Sequence, residues 1–210
     1  RMYVCPDKLD AELTYSHDGW DWRRTRTRPR FVEWGPEGSW DGTWLNIGAG
    51  GHIVRGSQLW FYYSGRSGAH GVPYPLNHGA LGLAILRQDG FASLQAKEAW
   101  GWVRTPPMRW PGGQLLVNVD PRRDLTAHPN YGCGELRVEA LDASGRSIKG
   151  FGADDCVPRK TNVNARSGSA RVPVEWKSRK SGMNLLKGKT VQLVFRMQDA
   201  HLYSFCAGES

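Results

Sequence analysis

The stretch ELRVEALDASGR, Glu135 to Arg146, alternates polar and apolar residues as far as Leu141 and then breaks into Asp, Ser and Gly. Period-two alternation marks a strand with one face buried, and the Asp-Ala-Ser-Gly cluster closes it with a turn. The same pattern recurs on both sides. QLLVNVD at residues 114–120, RVPVEW at 171–176, TVQLVFRM at 190–197 and LYSFC at 202–206 read as short strands, set apart by polar clusters such as KSRKSGMN. Strands at this spacing call for two packed antiparallel sheets. Residues 81–210 are therefore expected to form a jelly-roll-like β-sandwich.

Towards the N-terminus the strands shorten and the aromatics multiply. ELTYS at 12–16 and Phe31–Trp34 read as short strands, and HIVRGSQLWFYYSG at 52–65 as a hairpin around an RGSQ turn. The glycines and prolines of GRSGAHGVPYPLNHG at 65–79 predict a loop, and ALGLAILRQDGFASLQA two strands around a QDG turn. Gly 26, Pro 12 and 40% hydrophobic residues in a 210-residue chain, without an Ala/Leu/Glu/Lys-rich block, complete an all-β reading. A chain of this size can bury a real core.

Charge and cysteine usage narrow the partners. The net charge is +8, and RRTRTRPR at Arg23–Arg30 puts five arginines in eight residues, which reads as a solvated strand and turn or as a site for an anionic partner. A sulfated or uronate polysaccharide suits it better than nucleic acid, since no nucleic-acid-binding module is recognisable. No apolar run of membrane-spanning length occurs. Cys5, Cys133, Cys156 and Cys206 include no C-x-x-C pair, which disfavours a zinc ribbon. Their even number fits an extracellular or periplasmic setting. Three pairings are open, with Cys133–Cys206 favoured because each borders a strong strand; buried free thiols are the alternative. The chain begins at Arg1, which reads as a removed leader or a piece of a longer precursor.

Chemistry concentrates in a few segments. In SHDGWDW, Ser16–Trp22, Asp or Ser can bond the turn's own amides while a tryptophan packs over the hairpin. Asp18 and Asp21 could also hold Ca²⁺, the one cofactor suggested. In WGPEGSWDGTWL, residues 34–45, Pro36 and Gly38 set a turn that Ser39 or Asp41 can cap. Trp34, Trp40 and Trp44 exceed what a turn needs. Indoles stack on sugar rings while Glu37, Asp41 and Arg66 offer hydrogen bonds, or Trp40 and Trp44 are core residues. Glu33, Glu37 and Asp41 are the carboxylates from which a glycosidase pair would be drawn, although no spacing rule selects one. His70 and His78 lie in the following loop. No serine-hydrolase, P-loop or dinucleotide motif occurs.

The strings SHDGWDWRR, GPEGSWDGTWL, QLWFYYSGRSGAHG and LGLAILRQDGFASLQA resemble the C-terminal part of secreted bacterial proteins related to the five-bladed β-propeller glycoside hydrolases of families 32 and 43. The resemblance covers about residues 10–206. It implies a propeller-blade-like segment over residues 1–80 and a β-sandwich over 81–210, with Trp40, Asp41, Tyr63 and His70 near a sugar-binding central face. One blade cannot enclose a propeller pocket, so further blades of a larger protein are implied partners, and the catalytic carboxylates would lie largely outside this chain. The expected role is glycan binding within a glycoside-hydrolase-like protein. The alternative is a structural or cell-surface protein whose sandwich mediates assembly.

Overall fold

In the computed structural model the described residues are 8–69, 72, 77–122, 134–160, 170–179 and 182–208. The chain is all-β and divides into two compact units, Arg1–Leu86 and Arg87–Ser210. Among the described residues no helix is long and apolar enough to cross a membrane.

Unit 1 holds β1 (Thr14–Tyr15), β2 (Arg23–Arg24), β3 (Trp44–Ile47), β4 (Ile53–Arg55), β5 (Gln58–Arg66) and β6 (Gly79–Arg87). β1 and β2 form a two-stranded ribbon; β5 pairs with β3, β4 and β6 in a separate sheet. The expected hairpin is present, with β4 and β5 joined through Gly56, whose φ of 60° suits a tight turn. Phe31–Trp34 is not a strand. Phe31 spends its amide on Ala11, and Trp34 turns its indole N–H to the Leu9 carbonyl, so this segment is a side-chain-anchored bend. β6 pairs with β5, and unit 1 runs to Leu86.

The buried apolar content of unit 1 is small. Leu45, Leu59 and Phe61 are its fully buried large hydrophobics among the described residues. Alternate residues of β6 face the same way, and Leu81, Leu83 and Ile85 are all exposed.

Unit 2 holds β7 (Leu94–Ala96), β8 (Gly101–Arg104), β9 (Met108–Arg109), β10 (Leu115–Asp120), β11 (Glu135–Leu141), β12 (Val172–Pro173), β13 (Thr190–Gln198) and β14 (Ala200–Ala207). A 3-10 turn spans Gly182–Leu186. One sheet runs β12-β10-β14-β7; the other runs β11-β13-β8, with β9 also pairing with β13. All pairings are antiparallel. Pro106 and Pro107 lack amide hydrogens, which separates β8 from β9 along one partner strand. RVPVEW contributes only Val172–Pro173 to a sheet, because Pro173 cannot continue the ladder; Trp176 adds an isolated bridge to Cys156.

The two sheets share one core. Leu115, Val117 and Val119 of β10, Leu136, Val138 and Ala140 of β11, and Val191, Leu193, Phe195 and Met197 of β13 supply their alternate residues to it. Trp176 lies within this core and donates its indole N–H to the Val138 carbonyl, while Phe151 meets its ring edge-on at 5.2 Å. A buried tryptophan needs such a partner. Between β13 and β14 the chain passes from one sheet to the other through Asp199 alone, whose φ is 47°. The Gly134 α-carbon approaches the Asp199 carbonyl so closely that no β-carbon fits.

Cys156 is a buried free thiol, and burial pushes its pKa up; Cys206, half-buried in β14, is also free. Cys5 and Cys133, and with them the expected Cys133–Cys206 pairing, lie outside the described residues.

Candidate functional site

The Gly-Ser-Trp-Asp segment folds onto itself. Asp41 accepts hydrogen bonds from Ser39 Oγ at 2.8 Å through Oδ1 and from the Tyr63 hydroxyl at 3.0 Å through Oδ2. Burial, reinforced by the bond to Asp41, raises the Tyr63 pKa. The Trp40 ring stacks on Tyr63 with centroids 5.7 Å apart. Three glycines make the room: a β-carbon at Gly35 would meet Asp41, one at Gly65 would lie 2.7 Å from Trp40 Cζ3, and one at Gly82 would enter the Tyr63 ring. Trp40, Asp41 and Tyr63 are thus brought together, with their faces and lone pairs spent on each other.

The other sequence-predicted residues are dispersed around this cluster. Trp34 is half-buried beneath the Arg30 guanidinium, 3.8 Å from its ring centroid, with Lys8 Nζ at 4.8 Å. Trp44 lies half-buried in β3, its backbone opposite Arg66 of β5. Glu37 and Arg66 are exposed. His70 lies outside the described residues. Of the carboxylates considered for catalysis, Glu33 pairs with Arg30 at 3.4 Å and Asp41 is engaged as above.

The ribbon β1-β2 presents a different surface. Its connecting turn is closed by Asp18, whose Oδ1 accepts the amides of Trp20 at 2.8 Å and Asp21 at 2.9 Å and the Ser16 hydroxyl at 2.9 Å. These donors, led by the Asp21 amide, lower the Asp18 pKa. With its oxygen so occupied, Asp18 works as a turn-former. Among the described residues no group of three or more His, Cys, Asp and Glu side chains is placed to hold a metal ion.

This turn fixes two tryptophans in the open. Trp22 donates its indole N–H to the Gly19 carbonyl at 3.0 Å, yet its side is 62% exposed; Trp20 is 88% exposed. The sequence pattern suggested that an indole would cover the hairpin, whereas only its N–H is used. Arg24 pairs with Glu12 and Arg30 with Asp10 and Glu33. Arg23, Arg26 and Arg28 are exposed and have no ion-pair partner among the described residues. The hollow beside the turn, about 70 Å³, is small, so this is a binding surface and not a pocket. Sequence reasoning left the arginines as a solvated strand and turn or a site for an anionic partner, and gave the tryptophans to the turn; their adjacency in the ribbon was the signal available.

Unit 2 contains a cavity of about 590 Å³ where the sheets part between β7 and β14 on one side and β8 and β13 on the other. Leu94, Val103, Phe195, Leu202 and Phe205 line it, and among the described residues no carboxylate does. Compared with known proteins, the chain matches no family model, no curated protein and no solved structure.

Proposed function

We propose that this chain is the glycan-binding part of a secreted glycoside-hydrolase-like protein, and that it grips an anionic polysaccharide through the β1-β2 ribbon. The observation that carries the reading is the pairing of two exposed indoles, Trp20 and Trp22, with the unpaired guanidinium groups of Arg23, Arg26 and Arg28. An indole covers the C–H face of a sugar ring; guanidinium pairs with its carboxylate or sulfate. The turn is held rigid by Asp18 and Ser16, so little ordering entropy opposes binding. The surplus of positive charge adds attraction at a distance. Such a ligand suits a setting outside the cell or in the periplasm.

Binding is favoured over cleavage because Asp41 is engaged by Ser39 and Tyr63 and the exposed Glu33 faces Arg30 across the surface, whereas hydrolysis needs two positioned carboxylates. The jelly-roll reading of unit 2 is supported by its strand orders, β12-β10-β14-β7 and β11-β13-β8, and by the antiparallel bridge of Arg159 to Leu136 beside β11. Assembly is supported by its own observation. The exposed Leu81, Leu83 and Ile85 suit an apolar neighbour, such as a further blade of a larger propeller.

Titration with heparin and with polygalacturonate, followed by tryptophan fluorescence, tests the reading. Quenching is expected, weakening as salt rises, and in the double variant Trp20→Ala/Trp22→Ala the response to heparin is lost. Unchanged fluorescence with both polymers at low salt, or full affinity for heparin in the double variant, overturns it.

A further inference from the structure

The outer face of the β8-β13-β11 sheet carries a second cluster, built from residues that the ribbon does not share. Along β8, Gly101 and Val103 point inward while Trp102 and Arg104 point out. Trp102 is 70% exposed. Register puts it opposite Arg196 of β13, which in turn faces Arg137 of β11; the next row is Arg104, Val194 and Glu139. The indole stands between two open hollows of about 380 and 360 Å³, both of which it lines.

Charge on this face nearly cancels, and the remainder is informative. Arg196 bonds Glu139 at 3.0 Å; Arg137 bonds Glu135 and lies 3.9 Å from Asp154, and Lys160 adds a contact to Glu135 at 3.2 Å. Burial alone would push the Glu135 pKa up, but these two cations bring it below its ordinary value. Once those pairs are set aside, Arg104 is the one outward charged side chain of β8, β13 and β11 without an ion-pair partner among the described residues. It lies two residues from Trp102 on the same strand and the same face, a separation of about 7 Å.

We infer that this face is a second glycan site, specific for a uronate residue. The sugar ring stacks on Trp102, and its carboxylate takes the Arg104 guanidinium in a charge-assisted hydrogen bond. Arg196 and Glu139, each held in place by the other, offer donor and acceptor to ring hydroxyls. A uronate fits better than a neutral sugar because it alone satisfies the unmatched cation. A broadly sulfated chain fits less well, since the face supplies a single unmatched charge.

The test uses the full chain carrying Trp20→Ala/Trp22→Ala, in which the ribbon no longer contributes, with pentamers of galacturonate, mannuronate and glucuronate and the fully methyl-esterified form of whichever binds best. At least one acid pentamer is expected to bind, with its ester bound about tenfold or more weakly. Trp102→Ala should remove binding of both forms. Arg104→Gln should bring the acid down to the level of its ester and leave the ester unchanged. Because the ribbon is disabled throughout, failure here is separate from failure at the ribbon. The inference is overturned if no acid pentamer binds up to about 10 mM, if adding Trp102→Ala leaves binding unchanged, or if adding Arg104→Gln weakens acid and ester alike.

Discussion

The Trp40–Asp41–Tyr63 cluster depends on glycines that do nothing but stay out of the way. Gly82→Ala would press a methyl group into the Tyr63 ring, and overpacking of this kind costs about 1–3 kcal/mol. Urea unfolding followed through unit 1 should therefore show a lower midpoint in this variant. The Tyr63 hydroxyl adds a pH dependence. Its pKa is raised in the folded state, so its contribution is complete below the ordinary tyrosine value of 10.0 and is lost as pH rises through the higher folded value. Melting temperatures should fall more steeply above pH 10 in the parent chain than in Tyr63→Phe; parallel curves would exclude this role. The sequence announced that these aromatics and this carboxylate belonged together as a motif. It did not announce that they would face one another, because ring direction depends on β-carbons absent from Gly35, Gly65 and Gly82.

Among elements, the turn after β11 shows how far local chemistry can be read directly. Asp142 Oδ1 accepts the amides of Ser144 and Arg146 and the Ser144 hydroxyl, and these bonds, the hydroxyl's foremost, hold its pKa down at about 2. Stability from this turn is present above the ordinary value of 3.8 and disappears as pH falls through about 2. Asp142→Ala should thus melt below the parent at pH 6, with the gap closing near pH 2; a constant gap would rule out the carboxylate's part. Asp-Ala-Ser-Gly was legible as a turn because the bonds to the Asp142 carboxylate are made within five residues. β10, β11 and β13 were equally legible, since alternation reports a buried face. Period two says nothing of neighbours, however. ALGLAILRQDGFASLQA gives two strands, as its pattern suggests, yet β6 joins β5 in unit 1 and β7 joins β14 in unit 2. Pairing is decided by tertiary packing that no local pattern encodes.

At the level of the whole molecule, the two units differ in self-sufficiency. The continuous core lies wholly within unit 2, from Ala96 to Leu202, whereas unit 1 buries few large apolar side chains and leaves Leu81, Leu83 and Ile85 in water. Residues 87–210 expressed alone should melt cooperatively, and residues 1–86 alone should not. A cooperative melt of the shorter piece would remove the case for an apolar partner on β6. The sandwich also has an order of completion written into it. β13 lies between β11 and β8, β14 lies between β10 and β7, and only Asp199 separates them in the chain. Each sheet thus receives its central member last during synthesis. The β11-β13-β8 sheet cannot close until Gln198 has left the ribosome, nor the β12-β10-β14-β7 sheet until Ala207 has, and until then β7, β8, β10 and β11 wait with their inner edges unpaired.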